Sequence, residues 1–237
     1  MTAALESKLN FEVRRGPLAQ TFPLFEPDTL RHAHEAMALR HSMPNLENEV
    51  LWTADFSMYR SEGGEAFVYF APREHNLIFR DIKNAAGQLL ETGNYIPPKE
   101  GINEVVAAAA GKALKTKISD LELIKDNEEY GHFDVDPDNL DSLNAAQRQL
   151  VQAIYGNSRP GNRVYILNSE YVNKKLEGKE DSAIARASGL GRAGGGSWLD
   201  AGGWCVGDVG LLGVLKAPKA PQKIGEVPAG YNPQRNY

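Results

Sequence analysis

Four groups of residues in this 237-residue chain have types and spacings that could do chemistry. Gly189, Gly191 and Gly194 fit the GxGxxG spacing of a turn that cradles a pyrophosphate. Such a turn needs a strand before it and a helix after it, and the following "GGSWLDAGG" is a poor helix former. Ser197, in "GGGSWLD", invites a nucleophile reading, but the strand-turn-helix elbow wants glycine two places later and finds Leu199. His32, His34, Glu35 and His41 carry metal-ligating groups. On one helix, however, His34 and His41 would stand about 10 Å apart, too far to share an ion. Asp134, Asp136 and Asp138 have the alternate spacing of a calcium loop, yet Asn139 replaces the turn glycine and Ala145 the bidentate glutamate. Turn and cap chemistry accounts for "DVDPDNLDS" instead. No catalytic residue, metal ligand set or cofactor is therefore assigned. A divalent-metal hydrolase or transferase built on His132, Asp134 and Asp136 remains an alternative.

The distinctive tract is "GLGRAGGGSWLDAGGWCVGDVGLLGV", residues 189–214, which holds ten of the chain's 23 glycines, two of its three tryptophans and its single cysteine. So much glycine argues against ordinary helix or strand. Trp198 and Trp204 can pin an irregular segment by burying large apolar area. Small residues between them let backbone approach backbone or a ligand, and a loop on a rigid scaffold is a natural recognition surface.

The "GGSW" of Gly195 to Trp198 and the "LGV" of Leu212 to Val214 resemble the C-terminal display region of C-type-lectin-like proteins. These include the formylglycine-generating-enzyme fold and the variable proteins of diversity-generating retroelements. The resemblance covers residues 183–218. It implies that Trp198 and Leu212 hold the scaffold and that Asp200, Trp204, Asp208 and Leu211 contact a protein or carbohydrate partner. With Arg192, Ser197 and Trp198 these make the candidate ligand-binding set. The enzymatic branch of that fold relies on cysteine and metal chemistry, and Cys205 stands alone here.

Elements to position this tract can be read from period and punctuation. Thr29 to His41 has helical spacing at Leu30, Ala33, Met37 and His41, after a cap at Asp28 or Thr29. Trp52, Ala54, Phe56 and Met58 alternate with Thr53, Asp55, Ser57 and Tyr59, predicting a half-buried strand. Ser61-Glu62-Gly63-Gly64 turns it into "EAFVYF", a hairpin spanning Val50 to Phe70. "NLIFRDIKNAAGQLLETG" predicts one helix closed by Gly93, and "INEVVAAAAGKAL" a second. "KISDLELI" predicts a strand through Ile118, Leu121, Leu123 and Ile124. Asn144 with Gln147 makes a capping box for a helix to about Tyr155. "NRVYIL" predicts a strand, and Ser169 caps "EYVNKKL".

Hairpins and helices without a βαβ rhythm predict an α+β fold with antiparallel hairpins and an irregular glycine-rich C-terminal segment, C-type-lectin-like. Three parts are expected: a body over 1–160, a display segment over 161–216 packed on it, and a proline-rich tail over 217–237. A formal charge of −5 argues against nucleic acid. No apolar run suits membrane insertion, and "MTAALESKLNFEVRR" lacks a signal peptide's apolar centre, so the expected site is cytoplasmic or virion-associated. The leading reading is a non-enzymatic recognition protein. The alternative is a structural subunit of a viral or multi-protein assembly, a homo-oligomer joined through the tail.

Overall fold

The computed structural model describes residues 11–16, 32, 34–36, 51–71, 73–110, 114–193, 196–200 and 209–214. Among these, ten strands join in one mixed sheet: β1 (Phe11–Gly16), β2 (Leu51–Glu62), β3 (Glu65–Ala71), β4 (Leu114–Lys117), β5 (Ile124–Lys125), β6 (Tyr130–Asp134), β7 (Arg163–Leu167), β8 (Ile184–Ala193), β9 (Gly196–Asp200) and β10 (Val209–Val214). The main path runs β1-β10-β2-β8-β9-β7-β6-β5, with β3 and β4 branching from β2. The helices are α1 (Leu77–Arg80), α2 (Ile82–Thr92), α3 (Lys99–Ala109), α4 (Ala145–Tyr155) and α5 (Ser169–Leu176). The architecture is α+β, as the sequence predicts. None of the helices among the described residues is long and apolar enough to cross a membrane.

Strand alternation divides the interior in two. Leu51, Tyr59, Val68, Ile184 and Leu190 belong to a first core completed by α4 and α5 through Leu150, Ile154, Val172 and Leu176. Their neighbours Ala54, Phe56, Met58, Tyr69 and Ala185 belong to a second core, beneath Ile78, Leu89, Ile102 and Val105 of α1, α2 and α3. β2 is thus buried on both faces rather than half-buried. Thr53, Asp55 and Ser57, which alternation alone assigns to solvent, are at most 3% exposed.

Local chemistry explains most boundaries. Gly63 and Gly64, at φ +60° and +83°, make the two-residue turn between β2 and β3, a backbone shape that side chains disfavour. The expected helix over 76–93 breaks at Asp81, whose φ of −129° is not helical, and ends at Gly93 in the left-handed region. Asn144 accepts from the Gln147 amide at 2.9 Å while Gln147 Oε1 accepts from Asn144 N–H at 3.1 Å, the expected capping box. At the next helix the cap is Asn168 rather than Ser169. Its carbonyl accepts from Tyr171 N–H while its amide donates to Asn127 and Glu128 carbonyls, so one side chain serves the helix and a distant loop.

Two further expectations are corrected. "KISDLELI" is not one strand: Lys117 ends β4, Ile118–Leu121 forms a 3-10 turn that buries both Ile118 and Leu121, and Ile124 begins β5. The glycine tract is strand over much of its length, as the end of β8, all of β9 and all of β10. Pairing on both sides supplies the backbone order that glycine does not supply itself. Of the expected helix at 29–41 only 34–36 is described as helical, with Glu35 accepting from His32 N–H at 3.1 Å and His32 O accepting from Ala36 N–H.

Candidate functional site

Register brings most of the nominated residues together. β9 lies between β8 and β7, antiparallel to the first and parallel to the second. Arg192 stands opposite Ser197, Gly191 opposite Trp198 and Gly189 opposite Asp200. On the other side Trp198 stands opposite Arg163 and Asp200 opposite Tyr165. β6 extends both rows, with Asp134 against Arg163 and His132 against Tyr165. Leu211 pairs with Trp52, and Trp52 with Gly189. One register row therefore runs Leu211, Trp52, Gly189, Asp200, Tyr165, His132 and Ile124 across seven strands. Trp204 and Asp208 lie outside the described residues.

At the β6–β7 end of these rows the sequence names His132 and Asp134, in the alternative divalent-metal reading, but not Arg163 or Tyr165. His132 is 6% exposed and its Nδ1 sits 2.6 Å from Asp126 Oδ2, a carboxylate placed to orient the ring. Its Nε2 is 3.9 Å from Asp134 Oδ1, and its ring lies 5.5 Å from that of Tyr165. Arg163 donates from Nε to Asp134 Oδ1 at 2.8 Å and from Nη1 to the Tyr165 hydroxyl at 3.2 Å. The Tyr165 hydroxyl and the Asp134 carboxylate hold the guanidinium pKa above its ordinary value. Arg163 thus links the Tyr165 hydroxyl to the Asp134 carboxylate, and His132 is held between Asp126 and the Tyr165 ring. The one local signal was the alternation of "NRVYIL"; its neighbours are set by register, which sequence spacing does not encode.

The other chemical groups are dispersed by their own partners. Asp138 holds Arg159 through two hydrogen bonds of 2.6 and 2.9 Å, and Asp136 Oδ1 accepts from Asp138 N–H at 3.0 Å. Together with the Arg163 contact to Asp134, this resolves "DVDPD" into ion pairs and a turn. His32 Nδ1 lies 2.7 Å from the buried Asp55, and its ring stacks on His34 at 5.5 Å; His41 is outside the described residues. No group of three or more His, Cys, Asp or Glu among the described residues is arranged to hold a metal.

Beneath the rows runs a buried polar seam. Thr53 Oγ1 donates to Ser188 O at 3.1 Å, Ser57 Oγ lies 3.4 Å from Ser188 Oγ, and the fully buried Arg186 donates from Nε and Nη2 to Asn94 Oδ1 at 3.0 and 2.8 Å. Arg186 also bonds Glu129, Tyr130 and Tyr171. Burial works against its charge, but the Tyr130, Glu129 and Tyr171 oxygens outweigh that and hold its pKa above the ordinary value.

No protein-family model and no curated protein matches the sequence. A solved structure described as "Accommodation of massive sequence variation in Nanoarchaeota by the C-type lectin fold" is similar, with a TM-score of 0.54 at 12% identity, covering 88% of this chain and 99% of that chain. The likeness in fold thus extends over most of the chain. The chain has a C-type-lectin-like α+β fold.

Proposed function

We propose that this chain is a non-enzymatic recognition protein that presents the β8–β9–β10 surface to a protein or carbohydrate partner. The observation that carries the reading is the juxtaposition of Arg192, Ser197, Trp198, Asp200 and Leu211 in adjacent register rows with Arg163, Tyr165 and His132. Trp198, Asp200, Leu211, Arg163, Tyr165 and His132, scattered over 80 positions of sequence, thereby fall on one face of the sheet, while alternation puts Arg192 and Ser197 on the other. Trp204 and Asp208, which fall between β9 and β10 in the sequence, complete the proposed contact set. The C-type-lectin-like fold supports a binding role, since the similar structure is one that accommodates massive sequence variation. A variable protein of a diversity-generating retroelement is the finer form of this reading.

The test is capture by the immobilised full chain, against a glycan array and against cell extract, compared with the Asp200→Ala, Trp204→Ala and Asp208→Ala variants. Loss of a captured partner with unchanged melting temperature supports the reading. Retention of every partner by all three variants refutes it.

A further inference from the structure

β8 presents a problem of register. Positions 185, 187, 189, 191 and 193 are Ala, Ala, Gly, Gly and Ala. A strand whose one face carries only the smallest side chains gives almost no preference between pairings displaced by two residues, because alanine or glycine meets the neighbouring layer in either case. Displacement by one residue is excluded by alternation, since Ile184 and Leu190 fill the first core and Ala185 and Ala187 the second. Displacement by two leaves that division intact.

What distinguishes the native pairing is the other face, and within it Arg186. This side chain is 0% exposed and is held by Asn94, which precedes α3, by Glu129 and Tyr130 at the start of β6, and by Tyr171 on α5. Asn94 is itself fixed, donating to Thr92 O at 3.0 Å and to the Tyr171 hydroxyl at 3.1 Å. The acceptors thus come from three places distant in sequence and form one preset socket. A two-residue displacement moves the Cα of Arg186 by about 6.6 Å and strands the guanidinium in apolar core, an expensive outcome for a buried charge. Ser188 adds a second tooth where the β2–β8 register shifts between Trp52 and Phe56, through Thr53 and Ser57.

We infer that Arg186 is the register lock of β8, a positioning residue that fixes where β8, and β9 paired to it, stand along β2. The lock itself rests on the geometry above. Its consequence for ligand binding rests on the recognition reading, because a displaced β8 carries Trp198 and Asp200 of β9 out of row with Arg163 and Tyr165.

The experiment uses the full chain, isotopically labelled, and reads cross-strand nuclear Overhauser contacts for the Met58–Ala185 and Trp52–Gly189 pairs together with amide exchange over 184–193 and over α4. Wild type and Glu129→Gln, which keeps an acceptor at the guanidinium, show a single native set. Arg186→Met and Arg186→Lys show a second set displaced by two residues, with exchange over 184–193 faster by roughly tenfold or more and α4 unchanged. Lysine fails alongside methionine because it keeps the charge but lacks the planar fork that the socket matches. Native contacts and unchanged exchange in both arginine variants overturn the inference. Should both fail to fold, Asn94→Ala, which removes two of the guanidinium's contacts, decides the matter. Exchange selectively faster over 184–193 supports the lock, and unchanged exchange overturns it. Wild type without any binding partner refutes the recognition reading and leaves the lock standing, whereas binding by an undisplaced Arg186→Met does the reverse.

Discussion

Two glycine-to-alanine changes, chemically identical, should move stability in opposite directions. Gly131 lies on β6 at the β5 hairpin. A Cβ added there stands 2.9 Å from Ile124 O and 2.9 Å from Leu123 Cβ, closer than carbon tolerates. The first obstacle is backbone, so relief requires the hairpin to open rather than a rotamer to turn. Overpacking of this kind costs about 1–3 kcal/mol, and at about 2–4 °C per kcal/mol for a chain of this size the melting temperature falls by roughly 2–12 °C. Gly87 is the opposite case. It sits exposed in the middle of α2, and its added Cβ meets nothing within 4 Å. Alanine there gains helix propensity and loses backbone entropy in the unfolded chain, about 0.5–1 kcal/mol in favour of folding, or a rise of roughly 1–4 °C. Differential scanning calorimetry and urea unfolding measure both. The His132 ring resonances provide a local check, since Asp126 and His132 meet across the same hairpin. A Gly131→Ala protein as stable as wild type, or a Gly87→Ala protein less stable, refutes the reasoning.

Two further outcomes follow from single side chains. Asn144→Ala removes the side-chain half of the α4 capping box, leaving Gln147 to accept from the backbone N–H of residue 144, and should cost about 1 kcal/mol in urea unfolding, while Asn144→Asp should recover most of it. Partial burial opposes the Glu62 charge, but hydrogen bonds and charge attraction from Lys115, with the Tyr69 hydroxyl, hold its carboxyl below the ordinary 4.5. A depressed folded-state pKa stabilises above the unfolded value and is lost as pH falls through the folded one. The wild-type urea midpoint should therefore drop below about pH 4.5 more steeply than that of Glu62→Gln. Equal slopes in the two proteins count against the ion pair's contribution.

The elements legible in the sequence are those whose causes lie within a few residues. Gly63-Gly64 could be read as a turn, Gly93 as a helix end and Asn144 with Gln147 as a capping box, because each partner is a near neighbour. Asn168 and Ser169 show where that stops. Both are good caps, and the choice falls to Asn168 because its amide also reaches Asn127 and Glu128, some 40 residues away. Thr53, Asp55 and Ser57 read as a solvent face because alternation reports polarity, not cover. They are covered because His32 meets Asp55, while Ser188 meets Thr53 and Ser57 across more than 130 residues. The candidate site divides in the same way. Its glycine and tryptophan tract is visible as composition, whereas Arg163, Tyr165 and His132 join it only through strand order.

The glycine tract reads as loop when propensity is judged one strand at a time, and β8 shows why that judgement fails. Glycine weakens a strand by enlarging the unfolded ensemble and by offering nothing to pack, yet neither effect prevents pairing where both neighbours are already ordered. β8 has β2 along one side, with β9 and the Tyr95 bridge along the other. Its first half, Ile184 to Ser188, holds the specific contacts; its second half, Gly189 to Ala193, pairs with β9. If Arg186 carries the register, the two tasks are separable. Substitutions on β9 then leave the socket of Asn94, Glu129, Tyr130 and Tyr171 untouched, and the sheet can hold its geometry while the surface it presents is changed.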